Sequence, residues 1–368
     1  MSWQIKKQDI PLVALGAKLI ACGGGGDTKT IQNLLMSIMK DEESITVKTI
    51  VDLEDEWVVG TGMMGSTIFY NENIPTGIQG SRAIKVYESI IKQKIGAIIP
   101  VEIGGVNGLE PLLMAYQNNL PVVDGDGMGK AFPELSMTTY HLNKIPVSPM
   151  VLETHEEYTV IQGNENIQIT SEKTKNFIAK SGGYVHFVGF GSNARKMKTS
   201  MISGSLNLIY RLGSALIKET SVSEKRIEMM AVFENSLYGK PISIITGVIT
   251  EVSRWFEEGA LIGKFTIEGR SSHSNKRMEI KFKNEFIAIK EKLYRCMTPD
   301  LILVLDDEKF SPYNVSEIQV GLAVTIFAVP APNILRTKDM LELVGPENYG
   351  LTVTYQPLQG DQSHEAWN

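Results

Sequence analysis

Between Asp9 and Gly23 the apolar residues Leu12, Val13, Leu15, Leu19 and Ile20 fall on one helical face, with Asp9 placed to cap the helix and Gly23 to end it. A second helix is predicted over residues 28–39, with Ile31, Leu34, Leu35 and Ile38 inward, and residues 45–51 alternate as a strand does. A glycine-rich stretch at 60–65 and a helix at about 79–93 follow, then a buried-type strand at 95–101. A helix around 109–117 and a short apolar strand at 120–123 complete this half. Strand, turn and helix alternate here, which implies a mainly parallel sheet with helices on its faces.

Beyond residue 150 the texture changes. Alternating segments at 158–161, 183–190, 227–233, 242–252, 264–267, 277–282 and 321–329 predict strands, and 301–305 is an apolar run of strand length. A long helix over 197–219 interrupts them, with Gly204, Ser205, Gly213, Ser214 and Ala215 as a small-residue stripe. The expected organisation is an N-terminal α/β domain over 1–150 that carries the Gly/Asp-rich loops. A β-rich α+β domain over 151–358 and a tail over 359–368 follow, with the linker at 143–166 near Pro146 and Pro149.

A chain of 368 residues is long for one domain, which agrees with two. Its net charge of -6 comes with scattered Lys and Arg, so no basic nucleic-acid footprint is expected. No apolar run approaches the roughly 18 to 20 residues that span a membrane. The start, MSWQIKKQDI, is charged where a signal peptide is apolar, so a cytoplasmic location is expected. Cys22 and Cys296 are far apart and outside any CxxC spacing, which argues against a disulfide framework or structural zinc.

Three segments are candidates for chemistry. The first is Cys22-Gly23-Gly24-Gly25-Gly26-Asp27-Thr28: four consecutive glycines cost backbone entropy and suit a loop that needs positive φ or that offers its N–H groups to a ligand. It differs from a phosphate-binding loop by Thr28 in place of glycine before Lys29, and it follows a predicted helix where that motif follows a strand. A thiol beside a helix N-terminus, as at Cys22, can serve as a nucleophile or simply as a small buried residue. The second segment, Glu102-Ile103-Gly104-Gly105-Val106-Asn107-Gly108, puts a carboxylate and an amide at a strand end, where α/β sheets bind ligands. The third, Asp124-Gly125-Asp126-Gly127-Met128-Gly129-Lys130 running on to Glu134, pairs two aspartates in a glycine turn and is a candidate site for a divalent cation. It fails as an EF-hand, because Met128 and Leu135 stand at required ligand positions. Met128 also counts against a phosphatase with an Asp nucleophile. His141, His155, His186, His273 and His364 show no ligand-like spacing and read as structural or exposed.

These blocks, with SGSLNLIYRLGSA, LYGKPISII, IKFKNEFIAI, PDLILVLD and ELVGPENYGLTVTY further on, resemble the S-methyl-thiohydantoin desulfurase-like family over nearly the whole chain. The resemblance implies an N-terminal α/β domain and a C-terminal β-rich domain. It also implies a hydrolase of a hydantoin-like or related cyclic amide ring, cleaving C–S or C–N bonds with water. Family members fused to or encoded beside hydantoinase- and oxoprolinase-like proteins make a non-catalytic partner subunit the alternative, and a nucleotide- or phosphate-ester enzyme is the third class. On this reading Asp124, Asp126, Glu102 and Cys22 are the catalytic candidates. Gly24, Gly25, Gly26, Asp27, Gly104, Gly105, Asn107, Lys130 and Glu134 are the substrate-binding ones, and Asp124 and Asp126 are the metal candidates. The expected partners are a small-molecule substrate, a hydantoinase-like protein or a second copy of the chain. Lys130 stands where the family often has arginine, which weakens any bidentate carboxylate contact.

Overall fold

A computed structural model of the chain describes residues 2–358 except 74, 76, 79, 164, 165 and 258. The tail expected over 359–368, His364 within it, lies outside the described residues.

The first part of the chain runs β1 (Trp3–Lys6), α1 (Ile10–Ile20), α2 (Lys29–Ile38), β2 (Ser44–Lys48), β3 (Trp57–Gly65), α3 (Thr67–Glu72), α4 (Ser81–Ile91), β4 (Ile95–Pro100) and α5 (Glu110–Asn118). It continues with β5 (Val122–Val123), β6 (Gly125–Asp126), α6 (Thr139–Leu142), β7 (Met150–Glu153), β8 (Tyr158–Ile161), α7 (Ile167–Lys180), β9 (Tyr184–Asn193), α8 (Ala194–Lys198), β10 (Ile202–Ser203), α9 (Ser205–Ile217) and α10 (Val222–Glu234). Seven strands follow: β11 (Ile242–Glu257), β12 (Ala260–Gly269), β13 (Arg277–Lys283), β14 (Glu285–Lys290), β15 (Tyr294–Met297), β16 (Leu301–Asp306) and β17 (Ala323–Val329), then α11 (Lys338–Val344).

The first sheet has the order β1-β2-β5-β4-β3-β9-β7-β8. Its four central strands, β2, β5, β4 and β3, are parallel, and the flanking pairs are antiparallel. The mainly parallel sheet read from the sequence is therefore its centre, and the whole is mixed. The glycine-rich stretch at 60–65 belongs to β3, in the middle of the sheet. The second sheet, β15-β14-β13-β12-β11-β17-β16, is antiparallel throughout and curls so that its end strands β15 and β16 come into contact.

The first sheet extends past residue 150, because β7, β8 and β9 form its antiparallel flank, and the second sheet begins at Ile242. The alternating segments at 158–161 and 183–190 complete the first sheet, and those from 242 onward form the second. Two further expectations differ from the structure. The long helix over 197–219 is two helices, broken where Gly204 takes a φ of 78°. The alternating segment 227–233 is part of α10, which Ser221 and Glu224 start with a reciprocal capping box.

The sheets meet through β16 and β17. Leu301, Leu303, Leu305, Phe327 and Val329 join the core of the first sheet, while Ile302, Val304, Val324, Ile326 and Ala328 join that of the second. With a side-chain period of two and apolar surroundings on both faces, the continuous run LILVL is what such a strand requires. Among the described residues no helix is long and apolar enough to cross a membrane.

Candidate active site

Each of the three glycine turns leaves an element that the core fixes, and the turns touch one another. The amide of Val106 donates to the Gly25 carbonyl at 2.8 Å, and that of Gly127 to Val101 at 3.1 Å. A Cβ on Gly105 would lie 2.1 Å from the Gly25 oxygen, and one on Gly104 would lie 2.9 Å from the Ala131 nitrogen. The first loop also carries the second sheet: Phe286 N donates to Cys22 O at 2.8 Å and Val315 N to Gly23 O at 2.9 Å. The loop's carbonyls thus bind the protein's own amides. Its glycines serve close approach, most plainly Gly24, where a Cβ would sit 2.4 Å from the Glu285 side chain.

That packing gathers ionisable side chains away from water. Glu102, Asp126, Lys130 and Glu285 are all buried. Asp126 Oδ2 accepts from Met128 N at 2.9 Å and Gly129 N at 2.6 Å, while its Oδ1 is buried without a hydrogen-bond partner. Burial lifts its carboxyl to about 6, against the pull of those amides and the nearby Ser205 hydroxyl. Glu285 is lifted to about 8 by burial, with Lys130 opposing, and its Oε2 also lacks a partner. Glu102 is pushed well above the ordinary carboxylate range by burial, and the charges of Glu285 and Asp126 push the same way. Lys130 Nζ lies 5.6 Å over the Phe132 ring. The buried hydroxyl of Tyr238 bonds the Gly129 carbonyl, and Tyr140 bonds Pro100 O at 2.9 Å.

Asn107 positions Glu102. Where β4 ends, the Asn107 amide takes over the edge of β3, accepting from Met63 N at 2.6 Å and donating to Met63 O at 3.0 Å. Its Nδ2 also lies 3.3 Å from Glu102 Oε2.

The other expected residues lie apart from this cluster or play different parts. Asp124 Oδ1 accepts from Asn207 N at 2.9 Å at the start of α9, so Asp124 caps that helix. Asp124 and Asp126 thus engage different amides. Among the described residues no group of three or more His, Cys, Asp or Glu is arranged to hold a metal ion. Asp27 is exposed and accepts from Lys29 N at 3.0 Å. Gly26 faces the Thr67 side chain. Cys22 is buried, its Sγ 3.4 Å from Ile20 O, and burial raises its thiol even though Lys130 favours the thiolate. That state suits a packed residue better than a nucleophile. Glu134 stands at the surface in an ion pair with Lys175 at 2.7 Å.

Sequence reasoning missed Glu285, Tyr238 and Tyr349. Glu285 had a signal: it is the one acid opening the otherwise apolar run EFIAI. A second buried polar group also went unread, in which His186 Nδ1 lies 2.5 Å from Glu110 Oε1 and Tyr70 donates to Glu110 Oε2 at 3.1 Å. Neither of its key residues has a local motif.

Fold and cluster together define a two-sheet protein with a buried acid–lysine centre at the junction of three glycine turns. The chain belongs to the S-Me-THD-like family, whose N-terminal domain profile matches residues 8–164 and whose C-terminal domain profile matches residues 162–358. The crystal structure of a protein from Chromobacterium violaceum, a structural-genomics target, is similar in fold. It aligns with a TM-score of 0.82 over 97% of this chain and 100% of that one, at 17% identity. A search of curated proteins finds no significant match.

Proposed function

We propose that the protein is a hydrolase that replaces the methylthio group of an S-methyl-thiohydantoin-like ring by oxygen, with the buried cluster as its active site. The observation that carries this reading is two buried carboxyls, Asp126 at about 6 and Glu285 at about 8, each with an unpartnered oxygen and both close enough to Glu102 to act on its charge. At neutral pH the first is mostly a carboxylate and the second mostly an acid. Paired titratable groups whose environments set their pKa values apart suit a base and an acid working side by side.

In this mechanism Asp126 takes a proton from water as the water oxygen bonds the ring carbon that carries sulfur, and the C=N electron pair moves onto the ring nitrogen. The C–S bond then breaks, and methanethiol leaves with the proton of Glu285. The hydroxyl proton of the adduct returns to Glu285 as the new C=O forms, and Asp126 passes its proton to the ring nitrogen. One water is consumed, one hydantoin and one methanethiol are formed, and both carboxyls end as they began. The Lys130 ammonium faces the charge that develops on the ring in a site closed to water, where such a charge is stabilised most.

The test is to incubate the purified protein with an S-methyl thiohydantoin and follow methanethiol with a thiol reagent. The reading expects saturable release of one thiol per hydantoin formed. Absence of release from a panel of such rings would remove the reaction.

A further inference from the structure

The second buried polar group sits where the strand held by Asn107 meets its antiparallel neighbour. Met63 of β3 is paired in register with His186 of β9. Both main-chain groups of Met63 are taken by the Asn107 amide, so this pair is of the non-hydrogen-bonded kind, in which side chains lie closest. His186 Nδ1 lies 2.5 Å from Glu110 Oε1, and Tyr70 donates to Glu110 Oε2 at 3.1 Å. All three side chains are buried, and His186 Nε2 has no hydrogen-bond partner, so Glu110 alone fixes the imidazole by hydrogen bonding. Two other titratable groups stand near this ring. Tyr184 lies edge-on with its centroid at 5.8 Å, and Glu153, the register partner on β7, is occupied by the amides of Gly80 and Ala83 and by Arg82.

Glu110 is also the first residue of α5, and the turn that carries Asn107 runs straight into it. Leu109 N donates to Val106 O at 3.0 Å, and Leu112 N and Leu113 N donate to Leu109 O at 2.9 and 3.1 Å. The contacts close a ring. Asn107 binds one edge of β3 at Met63, and Glu110, just beyond it in the chain, binds His186 on the other side of the same residue. Asn107 Nδ2 in turn reaches Glu102 Oε2 at 3.3 Å. We infer that Glu110, His186 and Tyr70 are positioning residues for Glu102: by anchoring the start of α5 to β9 they hold the Asn107 turn, and with it the Glu102 carboxyl, in place. The inference rests on taking the buried cluster, of which Glu102 is the third carboxyl, as the active site. Small movements matter there, because charges in a water-poor site interact most strongly at short separations.

The test reads the Glu102 carboxyl directly. The full-length chain is labelled with glutamate carrying carbon-13 at the side-chain carboxyl and titrated by NMR, with the Glu102 signal identified by its loss in Glu102→Gln. Burial pushes this carboxyl up and the Asn107 amide opposes it. Glu110→Ala releases the turn and so should raise the Glu102 midpoint by about 0.5–1 pH unit, the worth of one hydrogen bond. Loss of a negative charge at Glu110 would by itself act in the opposite direction, so an upward shift marks lost positioning. Glu110→Gln, which keeps the length and a hydrogen bond for each neighbour, should hold the midpoint at or slightly below the native one. An unmoved or lowered midpoint in a folded Glu110→Ala chain, or an equal rise in Glu110→Gln, overturns the inference. So does an equal shift at Glu279 on β13 of the second sheet, which would report general loosening. Should Glu110→Ala not fold, Tyr70→Phe decides: it frees one oxygen of Glu110 and should move the midpoint upward, and no movement overturns the inference. Because titration needs no turnover, a chain that passes it yet releases no methanethiol loses only the proposed reaction.

Discussion

Replacing Glu285 with Gln should make the protein more stable in alkali and leave its stability in acid unchanged. In the folded chain burial holds this carboxyl at about 8, with Lys130 opposing, against an ordinary 4.5. Its folded pKa lies above its unfolded one, so between those values the folded chain binds more protons than the unfolded chain. Unfolding free energy therefore falls as pH rises from 4.5 to about 8, and levels off above that. At ~1.4 kcal/mol for each pH unit, the cost to the folded state at pH 9 is at most about 5 kcal/mol. Water penetration brings the expected figure to about 2–4 kcal/mol. Urea unfolding followed by tryptophan fluorescence at pH 5, 7 and 9 measures it. The variant should lie within about 1 kcal/mol of the native chain at pH 5 and exceed it progressively at pH 7 and 9. Parallel pH profiles for the two chains would show that Glu285 is not held in a water-poor cluster, and the reasoning would fail.

Asp126→Asn should act with the same sign over a lower window, from 3.8 to about 6, and add stability at pH 7. Asp124→Ala should cost about 1 kcal/mol, as the loss of a helix cap does, and because burial raises the Asp124 carboxyl that cost should shrink as pH rises through its titration; chemical denaturation at two pH values measures it. Asn107→Ala strips the partners from both main-chain groups of Met63 and should cost about 2–4 kcal/mol. An unfolding midpoint within error of the native one would refute its place as a surrogate strand.

Much of the fold was legible because local pattern and burial agree along most of the chain. The run LILVL reads as a strand apolar on both sides, and it lies between the two cores. The helices α1, α2, α4 and α5 begin and end within a few residues of where their apolar stripes place them. Residues 227–233 misled because a helix with apolar residues on several sides can mimic alternation over seven positions, and the decisive signal was the Ser221–Glu224 box just upstream. The reach of the first sheet was hidden for a topological reason: the alternation at 158–161 and 183–190 reveals β8 and β9, but not which sheet they extend, and β7 at 150–153 went unread. At the site, the glycine turns announced that close approach was needed, without saying between which atoms. The partner that Gly24 makes room for, Glu285, lies some 260 residues away, and no local pattern relates them. For the same reason two aspartates one residue apart looked alike in sequence, while the fold gives Asp124 a helix to cap and Asp126 a buried turn.

That division is the most direct test of the account. Methanethiol release from an S-methyl thiohydantoin should be compared in the native chain, Asp126→Asn and Asp124→Ala, with each variant first shown to be folded. Removal of a general base lowers turnover by about 10²–10⁴-fold, so Asp126→Asn should lose nearly all activity while Asp124→Ala stays within a few-fold of native. An Asp126→Asn chain that is folded and still releases thiol at the native rate would contradict the account.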